Sequence, residues 1–235
     1  MAITRGPNSI TDGLTVCLDA KDPNSYSGSG NTWSNVSSTE FNGTISSAVY
    51  NSSGYFSCNG TNQYMSVNTD VNNNSTLNNC KTWEIWINPD TIPANGTFSN
   101  IFQKSPNWNA GDTIGMQFIY GNLRFSYGTN WGGLIITSNS NLSTGNWYQI
   151  VGTATTSSTL ITQRGYLNGV FKNSQNYTID NTNILLPTNS QNLLLSYGSG
   201  AYFHGKTAML RVYNRVLSDN EVSQNYNSTK SRFNL

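Results

Sequence analysis

Residues 203–222 read Phe-His-Gly-Lys-Thr-Ala-Met-Leu-Arg-Val-Tyr-Asn-Arg-Val-Leu-Ser-Asp-Asn-Glu-Val. The first part has the two-residue period of a strand. Over 206–213, Ala208, Leu210 and Val212 share one face, and Met209, Arg211 and Tyr213 the other. Apolar residues on both faces predict an inner strand covered on both sides. The period then changes. Ser218, with Glu221 three residues on, forms a capping box, and Val222 and Tyr226 lie four apart on one stripe. These signals predict a helix within 218–229, ending near Asn227 and packing on the sheet.

Upstream of this segment the chain is punctuated by Gly, Asn, Ser and Pro between short apolar or alternating runs, the pattern of many strands joined by turns. Residues 14–19 open the series. Residues 54–58 and 63–67 read as a hairpin about Asn59-Gly60-Thr61-Asn62. In 82–87, Trp83, Ile85 and Ile87 face one way, and Glu84 and Trp86 the other. Further strands are expected at 101–104, 114–120, 123–127 with a Gly121-Asn122 turn, 134–137, 147–155, 160–167, 170–172 after Asn168-Gly169, and 193–196. Residues 24–31 read as a surface loop, 1–12 as an N-terminal arm, and 1–235 as one domain.

Composition narrows the function classes. Only 10% of the 235 residues are charged and the formal net charge is +1. A phosphate-binding surface needs clustered Lys and Arg, so nucleic acid is not expected as a partner. No run is apolar enough to insert in a membrane, and the opening residues lack the pattern of a secretory signal. Asn-x-Ser/Thr triplets such as those at Asn35 and Asn141 fit chance in an Asn-rich chain. Cys17, Cys58 and Cys80 are odd in number and fit no zinc spacing, so they read as reduced strand thiols.

Several runs, in order, resemble the concanavalin A-like, laminin-G (LamG) family. They are residues 13–20, Gly-Leu-Thr-Val-Cys-Leu-Asp-Ala; 55–60, Tyr-Phe-Ser-Cys-Asn-Gly, with Tyr64; 82–87, Thr-Trp-Glu-Ile-Trp-Ile; 146–152, Asn-Trp-Tyr-Gln-Ile-Val-Gly; 166–169, Tyr-Leu-Asn-Gly; and the closing 203–222. The resemblance implies an all-β jelly-roll sandwich of two antiparallel sheets with one short C-terminal helix. The stretch from Leu18 to Tyr26, Trp33 and Asn225-Tyr226-Asn227 are similar to the version of this domain in structural proteins of tailed bacteriophages. That likeness implies a non-catalytic virion subunit (capsid decoration, fibre or tail-associated) displayed on the particle, with other virion proteins as partners, homo-oligomerisation and host-surface adhesion. The alternative is a lectin-like module that binds carbohydrate; glycoside hydrolysis ranks third. Asn59 and Leu210 stand where family members often carry acids, which weakens any inherited calcium site, and no other cofactor is expected.

The residues themselves support the binding reading over catalysis. Glycosidases need two nearby carboxylates, yet Glu84 is followed at the i+2 and i+4 positions by Trp86 and Asn88. Glu84 therefore reads as a strand carboxylate paired with Arg, Lys or a hydroxyl. His204, the one histidine, reads as a strand-entry residue rather than a base. Asp19, Asp22, Asp70, Asp90, Asp112 and Asp180 are scattered along the chain. Stacking rings beside amides are what a sugar would use. On that ground Trp108, Asn109, Asp112, Tyr120, Tyr127 and Trp131 are the ligand-binding candidates, while Trp83 and Trp147 are assigned to the core.

Overall fold

The computed structural model describes residues 8–67, 74–94, 97–105, 111–129, 132–138, 141–180 and 184–235. In chain order, β1 (Leu14–Asp19), β2 (Thr32–Trp33), β3 (Gly43–Ser46), β4 (Val49–Asn51), β5 (Tyr55–Asn59) and β6 (Tyr64–Val67) precede a short helix, α1 (Asn74–Asn79). Then come β7 (Thr82–Pro89), β8 (Phe98–Lys104), β9 (Ile114–Ile119), β10 (Asn122–Tyr127), β11 (Leu134–Thr137), β12 (Tyr148–Thr156), β13 (Leu160–Leu167) and β14 (Val170–Thr178). The chain continues through β15 (Leu193–Leu195), β16 (Tyr197–Gly198), β17 (Ala201–Tyr202) and β18 (His204–Tyr213) to α2 (Asp219–Thr229) and a 3-10 turn, Lys230–Phe233.

Two antiparallel sheets of eight strands face each other. One runs β14-β13-β12-β7-β18-β5-β4, with β1 also paired to β18. The other runs β11-β10-β9-β8-β15-β6-β3-β2. Their inner faces bury Trp83, Ile85, Leu210 and Val212 against Phe102, Met116, Phe118 and Phe125, each such side chain contributing roughly 1.5–3 kcal/mol. Two glycines let the sheets meet: a Cβ on Gly152 would lie 2.4 Å from the Phe125 ring, and one on Gly165 would lie 2.5 Å from Ile136. The architecture is the expected jelly-roll sandwich with one short C-terminal helix.

The first sheet has the centre of its outer face covered by α2, the 3-10 turn and the arm at residues 8–13, while its β14 and β4 edges stay exposed. Glu84 of β7 is buried there and accepts hydrogen bonds from Gln149 (2.9 Å), Arg211 (3.2 Å) and Asn225 of α2 (2.8 Å). Burial works against the charge of Arg211, but Glu84 beside it holds the guanidinium above its ordinary value. Asn225 Oδ1 accepts from the Ile10 N–H (2.8 Å), which ties the arm to the helix. Below this network Trp86 lies between Tyr226 and Phe233, with ring centroids 5.8 and 4.4 Å away. The capping box forms as expected: Ser218 Oγ accepts from Glu221 N–H, and the Glu221 carboxylate from Ser218 N–H.

The structure corrects several details. β5 and β6 are not a hairpin; they belong to opposite sheets. Asn59 Oδ1 accepts from the N–H groups of Thr61 and Asn62 and turns the chain across the sandwich, so that Phe56 and Cys58 meet Met65 and Val67 in one core. The β9–β10 turn is Tyr120-Gly121, one residue earlier than expected, with Ile119 paired to Asn122. A register shift between Thr207 and Met209 turns Ala208 outward to join Met209 and Trp86. Trp147 is not in the core. It precedes β12 and packs on the covered outer face against Tyr55 and Phe233. Cys80 is a fully buried thiol between α1 and β7, not a strand residue, and all three cysteines are free. Helix α1 and strands β2, β3, β4, β16 and β17 are not among the elements expected from the sequence.

Candidate functional site

The second sheet leaves part of its outer face open. Because β-strand side chains alternate, the register places one outward-facing residue per strand in a continuous row. From the β2 edge it runs Thr32, Thr44, Ser66, Leu194, Gln103, Gly115 and Ser126. The inward neighbours Ile45, Met65, Leu195, Met116 and Phe125 are buried. Thr32 and Thr44 are exposed, and Ser66 and Leu194 half-buried, whereas Gln103 and Ser126 are covered. Arg124 is the one charged side chain in the outward rows among the described residues, and it is itself buried.

What covers Gln103 is the β16–β17 hairpin. Ser199 and Gly200 both take positive φ, 46° and 80°, the geometry of a two-residue hairpin turn. Gly198 must be glycine, since a Cβ there would meet Gln103 Oε1 at 2.1 Å. Gln103 Nε2 donates to Ser199 Oγ (2.8 Å), Ser99 Oγ donates to the Tyr202 carbonyl (3.2 Å), and Asn100 Nδ2 donates to the Gly198 carbonyl. The Gln117 amide continues this ladder, its nitrogen donating to Asn100 Oδ1 (2.9 Å) and its oxygen accepting from Arg124 Nε (2.9 Å). Burial pushes the Arg124 guanidinium down to about 10, so it remains cationic at neutral pH.

Held in this way, the hairpin presents rings. Tyr197 and Tyr202 stack with centroids 4.4 Å apart, and Tyr64 of β6 lies 5.5 Å from Tyr197. All three are half-buried. The result is a tyrosine cluster beside hydroxyls, on a sheet face whose one charged side chain among the described residues, Arg124, is buried. Such a surface can stack a ring and hydrogen-bond hydroxyl groups without attracting charge.

The residues singled out from the sequence divide differently. Trp108, Asn109 and Trp131 lie outside the described residues. Tyr127 is fully buried and donates to the Asn78 carbonyl (2.7 Å), so it is a core residue rather than a contact. Asp112 is half-buried, and Asn189 Nδ2 donates to its carbonyl (3.1 Å). Tyr120 is 54% exposed at a hairpin tip with φ 48°, unfavourable for a bulky residue. Tyr64, Tyr197 and Tyr202 were missed, although Tyr64 alternates with buried Met65, and Tyr197 and Tyr202 flank a Gly-Ser-Gly turn. His204 begins β18 as expected, with Nε2 4.0 Å from Asp90. Asp19 is engaged by Arg232 and Asp90 by Lys206, while Asp70 lies outside the described residues. No group of three His, Cys, Asp or Glu side chains able to hold a metal occurs among the described residues, and no helix there is long and apolar enough to cross a membrane.

A family model described as the concanavalin A-like lectin/glucanases superfamily matches residues 59–223. No curated protein matches the sequence. Among solved structures, a Trypanosoma rangeli sialidase in complex with the inhibitor DANA is similar, with TM-score 0.68 and 14% identity over 99% of this chain and 35% of that one. Domain 4 of the extracellular GH43 arabinanase AbnA from Geobacillus stearothermophilus, in complex with arabinotriose, has TM-score 0.66 and 17% identity over 91% of this chain and 98% of that one. The present chain therefore spans about a third of the sialidase but nearly all of the arabinanase domain. At these identities the likeness establishes the fold alone.

Proposed function

The chain belongs to the concanavalin A-like lectin/glucanases superfamily, and from that premise we propose that it is a non-catalytic module that binds uncharged carbohydrate. The observation that carries this reading is the Tyr64–Tyr197–Tyr202 cluster on an open sheet face lined by hydroxyls. Sugar rings present C–H faces that stack on aromatics and hydroxyls that exchange hydrogen bonds with Ser and Thr. Two observations support a binder over a hydrolase: the outward rows of the open sheet contain no carboxylate among the described residues, and Glu84 is buried in a pair with Arg211. The arabinotriose complex of a similarly folded domain is consistent with a sugar as ligand.

The test is binding of the purified chain to an array of neutral and acidic glycans, with calcium and with chelator, beside Tyr197→Ala and Tyr202→Ala. Saturable binding of neutral glycans that persists in chelator and is lost in both variants is expected. Silence across the array, or binding that survives both substitutions, overturns the reading. We place the module on a bacteriophage particle as a homo-oligomeric structural subunit that docks on other virion proteins. This placement rests on the phage-like stretches at Leu18–Tyr26 and Asn225–Asn227. Light scattering that finds a monomer at high concentration would remove the homo-oligomer.

A further inference from the structure

At the end of β8, Lys104 is fully buried. Its Nζ donates to two oxygens of one residue: the Asn189 carbonyl at 2.9 Å and Asn189 Oδ1 at 3.1 Å. The Asn189 carboxamide is held in place as well. Its Nδ2 donates to the carbonyls of Lys104 (3.3 Å) and Asp112 (3.1 Å), and its Oδ1 also accepts from the Gln191 N–H (3.1 Å). Asn78 Nδ2 donates to the Asn189 carbonyl (3.0 Å). Asp112 thus takes part through its backbone carbonyl, while its side-chain Oδ1 is buried without a hydrogen-bond partner.

We propose that Lys104 and Asn189 form a self-modification site, at which the chain cross-links itself through an amide bond between the two side chains. The amine must reach the carboxamide carbon, and with a C=O length of about 1.23 Å the contact above puts Asn189 Cγ about 3.3–4.3 Å from Nζ. That is at the edge of a near-attack distance of about 3–3.5 Å. In the step, uncharged Nζ attacks Cγ, a C–N bond forms, and negative charge develops on Oδ1, where the Gln191 N–H already points. The Cγ–Nδ2 bond then breaks. Nζ sheds one proton and the departing nitrogen takes one up, so that Nδ2 leaves as ammonia. No oxidant or reductant is involved.

The surroundings favour the uncharged nucleophile. Burial pushes the Lys104 amine down to about 8, opposed by the nearby charge of Asp112, and a desolvated lysine is the activated form of that side chain. The bond would join β8 to the segment before β15, between residues 85 apart in sequence.

Intact-mass spectrometry of the full folded chain, held at mildly alkaline pH, reads the reaction directly. A mass lower than that of the sequence by one ammonia, about 17 Da, is expected, with a peptide containing Lys104 joined to one containing Asn189. Lys104→Met and Asn189→Ala should keep the full mass. Full mass in wild-type protein after days, with a native near-UV spectrum, overturns the proposal. So does a loss that persists in Lys104→Met, because Asn-Gly pairs can also shed ammonia by cyclising.

Discussion

The two outer faces of the sandwich solve the same problem in opposite ways. On the covered sheet, outward side chains are large or ionic: Trp86, Tyr166, Tyr213, Glu84 and Arg211 are buried beneath α2 and the arm. On the open sheet the row is mostly small or polar; among the described residues the six-residue hairpin lies over Gln103 and the Gly132 segment over Ser126, while Thr32, Thr44, Ser66 and Leu194 are left open or half-open. A face with an ion pair and a tryptophan must be sealed, because an unpaired buried charge or wet indole is costly. The stretch of the other face that carries Thr32, Thr44 and Ser66 need not be. The contrast assigns architecture to one surface and leaves the other free for recognition.

Substitutions can break this contrast, and the largest effect is expected on the covered side. Glu84→Leu leaves Arg211 buried without its partner and should cost about 3–5 kcal/mol, read by urea unfolding. Adding Arg211→Met should recover much of that loss. Phe233→Ala removes a ring from Trp86 and Trp147 and should cost about 1–3 kcal/mol, with a change in tryptophan fluorescence. Ser218→Ala, which breaks the cap of α2, should cost about 1 kcal/mol. On the open side, Tyr64→Ala should change stability by no more than about 0.5–1 kcal/mol while weakening glycan binding. If it unfolds the protein, the open face is architectural too.

A pH titration sharpens the same division. Hydrogen bonding from Arg215 lowers the Glu221 carboxyl from 4.5 to about 2, so its contribution is fully present above 4.5. It is lost as pH falls towards 2, because the unfolded chain then binds the extra proton first. Stability of wild type measured across that window should fall more steeply than that of Glu221→Gln. Equal slopes would show that the capping carboxylate adds nothing through its charge.

Much of this division was legible in the chain. The spans of β1, β11 and β13 agree with the alternation to the residue, and Glu84 pairs with an arginine as its isolation from other acids implied. Alternation tells which residues share a face, but not which sheet a strand joins, so β5 and β6 looked like a hairpin. A single extra residue at Ala208 reverses the pattern without any local cue. Trp147 appeared to be core because size alone cannot separate burial between sheets from burial under a tail. The binding surface was harder still. Tyr64 lies far in sequence from Tyr197 and Tyr202, and only the register of β6 with β15 and the turn at Ser199-Gly200 bring the three together.

The pairing of β1 with β18 also sets how the molecule answers to force. Leu14 is opposite Tyr213, and Asp19 is opposite Met209, so the strands run antiparallel. Tension applied ahead of Leu14 and beyond Tyr213 loads the same end of this ladder. Its rungs then open one at a time, like a zipper, and do not share the load in shear. Under such a pull this seam would yield early and act as a mechanical fuse, while the glycine-spaced core between the sheets stayed closed.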